Sequence, residues 1–263
     1  MKLIDAHCHI HQSEFFGDER EAVYDRARAS DVAMICASTS VQASREALDF
    51  CAAHEGCYAL VGIHPHDAAR EDIAAIGELL RADNSGAKII YGIGEIGLDY
   101  YYEHSPRADQ IAALEQQLQW ASDYDLPVSF HVRDEKTLRG VVWDDFWPVF
   151  DNFHGLRGVL HSFTDGRRQL ERGFERGLYV GINGISTFTK DSEQQRLYAS
   201  LPLEKIVLET DAPYLTPAPL RGRMNEPSFV GRVAEHAAAV RGLSFGAVAD
   251  ATTANAKQLF HLE

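Results

Sequence analysis

A chain of 263 residues that is 45% hydrophobic and 24% charged has enough apolar material for a full core, which excludes fibrous and disordered classes. Its formal net charge of -14 opposes sequence-independent wrapping of nucleic acid, a mode that depends on many lysine and arginine contacts to phosphate. It leaves open a local positive pocket or a bound cation that takes one or two phosphates.

In chain order, short β-branched runs recur with room for a helix between them: "LID" at 3–5, "VAMICAS" at 32–38, "YALVGI" at 58–63, "KIIYGIG" at 88–94, "VSFH" at 128–131, "RGVLH" at 157–161, "LYVGI" at 178–182 and "KIVLE" at 205–209. Near-continuous apolar runs suit strands covered on both faces, as parallel strands are. A helix is predicted after Asp67, with Ile73, Ile76 and Leu80 as its apolar stripe. Another is predicted from Pro106 to about Asp123, with Ser105 as N-cap and Ile111, Leu114, Leu118 and Ala121 on one face. A third, carrying Leu170 and Phe174, stops near Gly177, and a last one runs from Ser244 to Leu262. Eight strands alternating with helices in a chain of this length predict a single α/β domain over 1–263, a (β/α)8 TIM-type barrel with its site at the C-terminal ends of the strands. Neither GxGxxG nor GxxxxGK[ST] follows the first strand, so the usual nucleotide fingerprints are missing.

No basic leader precedes an apolar stretch, and no window reaches the roughly 18 apolar residues that span a bilayer, so no membrane partner is expected. The cysteines Cys8, Cys36, Cys51 and Cys57 form no CxxC pair and read as reduced thiols of a cytoplasmic protein, expected to be a monomer.

The residues that follow the strands share a chemistry. His7 and His9 follow the first, His64 and His66 the third, Glu95 the fourth; the fifth ends at His131, the sixth at His161, and the eighth runs into Glu209 and Asp211. In a barrel these positions converge on one face. Side chains at i and i+2 of a strand point the same way, so His7 and His9 can face the interior while Cys8 and Ile10 point outward. An HxH pair alone is ambiguous; joined to His131, His161, Glu95 and Asp211 it reads as a metal centre.

The stretches "LIDAHCHI", "GEIGLDYYYEHS", "LPVSFHVRD" and "LPLEKIVLETDAPYLTPAPLRGRMNEP", with "GIHPH" and "TTANAKQLF", resemble the TatD family of metal-dependent hydrolases, over essentially the whole chain. That resemblance implies two divalent cations, zinc, manganese or magnesium: His7, His9, Glu95 and Asp211 would hold one, and Glu95, His131 and His161 the second, with Glu95 bridging. Two dications against two carboxylates leave about +2 to attract an anionic ester and activate water. Asp211 would also accept the proton of that water, and Glu95 would share in catalysis as the bridge. The alternative for Asp211 is a helix N-cap ahead of Pro213, the weaker reading.

His64 stands at the rim, where it either donates to a phosphate oxygen or is held in loop packing. Arg133, Arg221 and Arg223 either grip phosphates or are solvated. Asp5 and Asp99 suit supporting roles toward backbone or imidazole N–H groups. The chain departs from its relatives at His11, where Asp or Asn is common; a hydrogen-bond partner, a surface residue and a third ligand are all open. The segment "GVVWDDFWPVFDNF" carries aromatics that serve as helix packing or as a wall for bases, packing being the better reading.

The function this implies is hydrolysis of phosphodiester bonds, a 3′–5′ exodeoxyribonuclease acting on single-stranded DNA ends or on a phosphate-bearing small substrate. The rival keeps the cations and changes the bond to another ester, such as aminoacyl-tRNA, or an amide. A noncatalytic binding barrel is the third reading, disfavoured by candidates at all six ligand positions.

Overall fold

The computed structural model describes residues 2–84, 88–135 and 140–263. Eight parallel strands form one sheet in sequential order: β1 (Leu3–Cys8), β2 (Val32–Ala37), β3 (Cys57–Val61), β4 (Ile90–Asp99), β5 (Val128–Arg133), β6 (Gly158–Leu160), β7 (Tyr179–Ile182) and β8 (Ile206–Leu208). The sheet curls back on itself where His9 N donates to Ala212 O and Asp211 N donates to His7 O, at 2.8 and 2.9 Å. The expected barrel is therefore the observed fold.

The helices follow in chain order as α1 (Ser13–Phe16), α2 (Arg20–Ala29), α3 (Val41–Ala53), α4 (Ile73–Asn84), α5 (Arg107–Asp123), α6 (Val141–Asp151), α7 (Arg167–Glu175), α8 (Ile185–Phe188), α9 (Ser192–Ser200), α10 (Val230–Arg241) and α11 (Phe245–Phe260). Period-two alternation sorts the strand residues between two cores. On β2, Met34 and Cys36 join the large cluster under the helices, whereas Ala33 and Ile35 join a smaller one with Leu60, Val159 and Val207 inside the barrel. Leu259 and Phe260 of α11 belong to that inner cluster. The aromatics of α6 are packing: Trp143, Phe146 and Trp147 are fully buried, and Phe146 meets Phe130 of β5 edge to face at 5.3 Å.

On β1 the alternation changes phase. Ile4 and Ala6 lie in the inner cluster, yet Cys8 and Ile10 lie in the outer one, and the pairing of β1 with β2 shifts register between Asp5 and Cys8. The shift lets β1 fill the barrel with apolar side chains below and turn His7 and His9 inward above.

Two expectations need correction. Ser105 does not cap α5, whose N-cap is Pro106; the Ser105 hydroxyl instead donates to His66 O and accepts from Ala69 N, fixing the loop after β3. Strand β4 runs on to Asp99, paired with Arg133 of β5, so Glu95 lies within the strand rather than after it. Gly97 permits this approach: its φ is +150°, and an added Cβ would lie 1.8 Å from His131 O. The cysteines are all free; Cys8, Cys36 and Cys57 are buried, and Cys51 of α3 is half-buried beside them.

Candidate metal centre

Five imidazoles surround two carboxylates at the C-terminal mouth. Glu95 Oε2 lies 3.3 Å from His7 Nε2 and 3.8 Å from His9 Nε2, and Glu95 Oε1 lies 2.8 Å from His131 Nδ1, 3.5 Å from His64 Nε2 and 3.9 Å from His161 Nε2. Asp211 Oδ1 lies 3.3 Å from His9 Nε2 and 3.7 Å from His161 Nε2. Asp211 sits just past β8 in a left-handed conformation, φ 58°, fixed by its N–H to His7 O and by its carbonyl accepting from Tyr214 N.

The opposite ring nitrogens are tied outward. His9 Nδ1 donates to Ala37 O at 2.8 Å, and His7 Nδ1 is 3.0 Å from Ser129 Oγ. His131 Nε2 donates to Asp99 Oδ2 at 2.9 Å, and His161 Nδ1 is 3.0 Å from Glu209 Oε1. A backbone carbonyl can only accept, so the Nε2 lone pair of His9 faces the carboxylates; the carboxylates behind His131 and His161 orient those rings in the same sense. Outer hydrogen bonds that fix tautomer and ring orientation are the usual accompaniment of metal-binding histidine. His7 Nε2 is buried with no hydrogen-bond partner, a polar atom that a cation would satisfy.

His64 is set differently. Its Nδ1 accepts from His66 N at 3.1 Å, so the proton of the neutral ring is on Nε2, the nitrogen facing Glu95. Burial and the neighbouring His131 lower its pKa to about 4, which keeps the ring neutral. His64 is thus a hydrogen-bond donor aimed into the mouth, although Glu95, His131 and His64 are close enough to hold an ion together.

Charge is concentrated here. Burial opposes ionisation of Glu95, yet His64, His131 and His7 outweigh it and hold its carboxyl well below the usual range; His9 does the same for Asp211. Burial likewise opposes charge on His161 and His131, but Glu209 raises the first to about 10 and Asp99 with Glu95 raises the second to about 9. His7, buried and facing His161, is shifted down.

The six ligands expected from the sequence are therefore brought together, with one difference in grouping. Among the described residues, the sets close enough to bind an ion are His7–His9–Asp211, His7–Glu95–His161 and His64–Glu95–His131, so His161 joins His7, and His131 joins His64. The rings of His7 and His161 stack at 3.5 Å, while His131 is drawn toward Asp99 on the other side of Glu95. The mixed nitrogen and carboxylate donors suit zinc or manganese, and magnesium less readily.

Around this centre lies a cleft of about 710 Å³. Phe15 and Tyr214 meet edge to face at 5.6 Å on one side, and Tyr102, His66 and Arg133 stand on the other. Arg133 is exposed at this rim. Arg221 and Arg223 do not line the cleft: Arg221 donates to Thr216 O and lies 4.0 Å over the Phe188 ring, and the turn holding Arg223 is fixed by Thr216 Oγ1 bonding to Arg223 O. His11 is fully buried with both ring nitrogens unpartnered, 6.4 Å from the His9 ring centre, and belongs to none of the ion-binding groups. Asp5 accepts from the N–H groups of His7 and Thr210 and from Thr210 Oγ1, bracing β1 against the segment after β8. Asp99 accepts from His131, His66 and the amides of Tyr101 and Tyr102.

Ser129, the carbonyl of Ala37 and Glu209 carry supporting roles that sequence reading did not assign. Glu209 is wholly buried and takes Ser162 N at 2.7 Å besides facing His161. Its one sequence signal was position, two residues before Asp211 at the end of β8.

An eight-stranded barrel whose strand ends carry this ring of imidazoles and carboxylates defines a metal-dependent hydrolase. The sequence profile described as TatD related DNase matches residues 4–261, and the chain belongs to that family. Among its relatives, an uncharacterized metal-dependent hydrolase, YabD, of Bacillus subtilis is 30% identical over 99% of each chain. The 3'-5' ssDNA/RNA exonuclease TatD of Salmonella typhimurium is 33% identical over 95% of this chain and 96% of its own. The crystal structure of YJJV, a TatD homolog from Escherichia coli, superposes with a TM-score of 0.88 at 29% identity, covering 100% of this chain and 99% of that one. No helix among the described residues is long and apolar enough to cross a membrane.

Proposed function

We propose that this hydrolase shortens single-stranded DNA or RNA from the 3′ end, using two divalent cations. The observation that carries the reading is the orientation of the imidazoles: His7, His9 and His131 each have one nitrogen hydrogen-bonded outward, His161 has one ion-paired outward with Glu209, and the other nitrogen of each faces Glu95 or Asp211. The Salmonella relative, named for 3'-5' ssDNA/RNA exonuclease activity, supports the substrate class.

When bound, the cations would acidify a water and stabilise the attacking and leaving oxygens of an in-line displacement. His7, His9 and Asp211 would hold one of them; Glu95 would hold the second, with His161 or His131 beside its carboxylate completing the set. Asp211, ionised across neutral pH, accepts the proton of the attacking water. His64 donates from Nε2 to a nonbridging phosphate oxygen, and Arg133 pairs with the same anion at the rim. Tyr214, 50% exposed beside Phe15, and Tyr102, 49% exposed opposite, give the terminal base a face to stack on. A mouth walled on both sides favours a strand terminus over the middle of a duplex. A cytoplasmic location belongs to the same proposal, supported by the free cysteines.

The test is digestion of one single strand labelled at its 3′ end and another labelled at its 5′ end, with Mn²⁺ or Mg²⁺. Immediate release of labelled mononucleotide from the 3′-labelled strand, with a descending ladder from the 5′-labelled one, is the expected result. Intact strands alongside cleavage of a phosphate-free ester would refute it.

A further inference from the structure

Next to the metal-centre cleft is a second one, of about 780 Å³, whose wall includes Arg133, Arg167, Arg168 and Arg196. The two clefts share Val132, Arg133 and Thr164 in their walls, so they adjoin one another at these residues. At the junction Arg133 lies over two aromatic rings, 4.2 Å from the centre of Tyr101 and 5.0 Å from that of Tyr102. Tyr101 lines the second cleft and Tyr102 the first.

Four arginines in one cleft of a chain with net charge -14 call for an explanation. Five acidic residues also line this cleft, but four of them are held by hydrogen bonds or an ion pair. Asp134 accepts from the amides of Gly140 and Val142, Glu135 pairs with Arg107, Asp165 accepts from Trp143 Nε1, and Asp191 caps α9. Glu193 alone is exposed without such a bond among the described residues. The arginines are all exposed; Arg167 reaches only the Ser200 hydroxyl, and Arg168 and Arg196 make no hydrogen bond or ion pair among the described residues. The guanidinium groups are thus solvated and free to reach an anionic ligand, whereas most of the carboxylates are held in place by donors of the protein itself.

We infer that this second cleft binds the sugar-phosphate backbone of the single strand beyond the nucleotide being removed, with Arg167, Arg168 and Arg196 contacting successive phosphates. The inference rests on the nuclease reading and extends it, because it assigns the substrate as a strand rather than a mononucleotide ester. A strand with its terminal phosphodiester among His64, Arg133 and the metal ligands crosses the Tyr101–Tyr102 junction, where a base can stack, and enters the arginine-lined trough. A dinucleotide ends before that trough. Longer strands therefore gain affinity from contacts that leave the chemical step untouched.

The test compares the wild type with R167A/R168A/R196A and with the single charge swap R168E. Binding of a fluorescent thymidine decamer is followed by anisotropy across a salt series, and hydrolysis of the decamer is compared with that of a thymidine dinucleotide. The expected results are a rise of about tenfold or more in the decamer Kd and KM for the triple variant, with dinucleotide kcat/KM unchanged. The slope of log K against log salt should fall by about 2, since each lost contact to a single strand contributes about 0.7. R168E should by itself weaken decamer binding, with dinucleotide kcat/KM unchanged.

Decamer binding and salt slope unchanged in the triple variant would overturn the inference, as would equal losses on decamer and dinucleotide. Displacement of the decamer by an acidic peptide as efficiently as by unlabelled DNA would assign the trough to a protein partner and overturn it too. Arginine-dependent decamer binding without cleavage of either oligonucleotide would uphold the trough and refute the nuclease reading.

Discussion

Glu209→Gln is an informative perturbation of the centre because it removes one charge and almost no volume. Glu209 is fully buried, and its Oε1 accepts from Ser162 N at 2.7 Å and Asn183 Nδ2 at 3.2 Å while standing 3.0 Å from His161 Nδ1. The glutamine oxygen keeps the first two bonds, so the fold should survive. What is lost is the anion behind His161, whose pKa stands at about 10. A hydrogen bond to a charged group is worth about 1.5–3 kcal/mol. At 1.36 kcal/mol per pH unit this lowers the His161 pKa by roughly one to two, to about 8–9. The same energy corresponds to the 10–100-fold loss of metal affinity or activity that follows removal of a ligand's outer partner. The assay is an NMR titration of His161 in chelator-treated protein, paired with metal affinity by competition and kcat/KM on a single strand. A His161 still titrating near 10, with metal affinity within about twofold of wild type, would refute the assigned role of Glu209.

Asp211→Asn should cut kcat by about 10²–10⁴ with little change in Tm, the range expected when a positioned general base is removed; retention of most turnover would exclude Asp211 as the proton acceptor. His131 and His161, raised to about 9 and about 10, are protonated at pH 7 and must lose those protons to ligate. Metal binding at pH 7 should therefore release up to two protons, and apparent affinity should rise with pH until about 9–10; calorimetry in buffers of different ionisation enthalpy measures this, and identical heats would contradict it. In chelator-treated protein the same raised values contribute stability below about pH 6.5 that is lost as pH climbs through about 9–10, a trend that thermal unfolding against pH can check. Gly97→Ala should destabilise by roughly 1–3 kcal/mol or more and abolish metal binding, because the new carbon would meet His131 O at 1.8 Å; a folded, fully metal-loaded variant would refute the close approach of β4 to β5.

The barrel was legible because each strand is an apolar run with a polar residue near its C-terminal end, a pattern that local sequence displays in full. His7, His9, Glu95, His131, His161 and Asp211 were legible for the same reason: barrel geometry gathers strand ends whatever their separation in the chain. What was not legible depends on closure. Ser129 meets His7 across 122 residues, and nothing local distinguishes that serine from any other in a strand. The turning of Arg221 onto Phe188, and the tautomer of His64 set by His66 N, are likewise products of loop conformation rather than composition. The extent of β4 was underestimated because glycines at 92, 94 and 97 look like strand terminators, whereas here they allow neighbouring strands to pass closely.

The four cysteine thiols of the molecule lie in one place on the outer side of the sheet, although Cys8 stands between the candidate ligands His7 and His9. Cys8 of β1 pairs in register with Cys36 of β2, Cys57 of β3 lies diagonally across, and Cys36 is in side-chain contact with all three other cysteines, including Cys51 on α3. Burial pushes the Cys8 thiol up to about 11, so it stays unreactive at neutral pH. An alkylating dye should thus spare catalysis while the wall stays shut and label these sulfurs only as α3 lifts from the sheet. The rate of dye uptake becomes a built-in clock for breathing of that one wall.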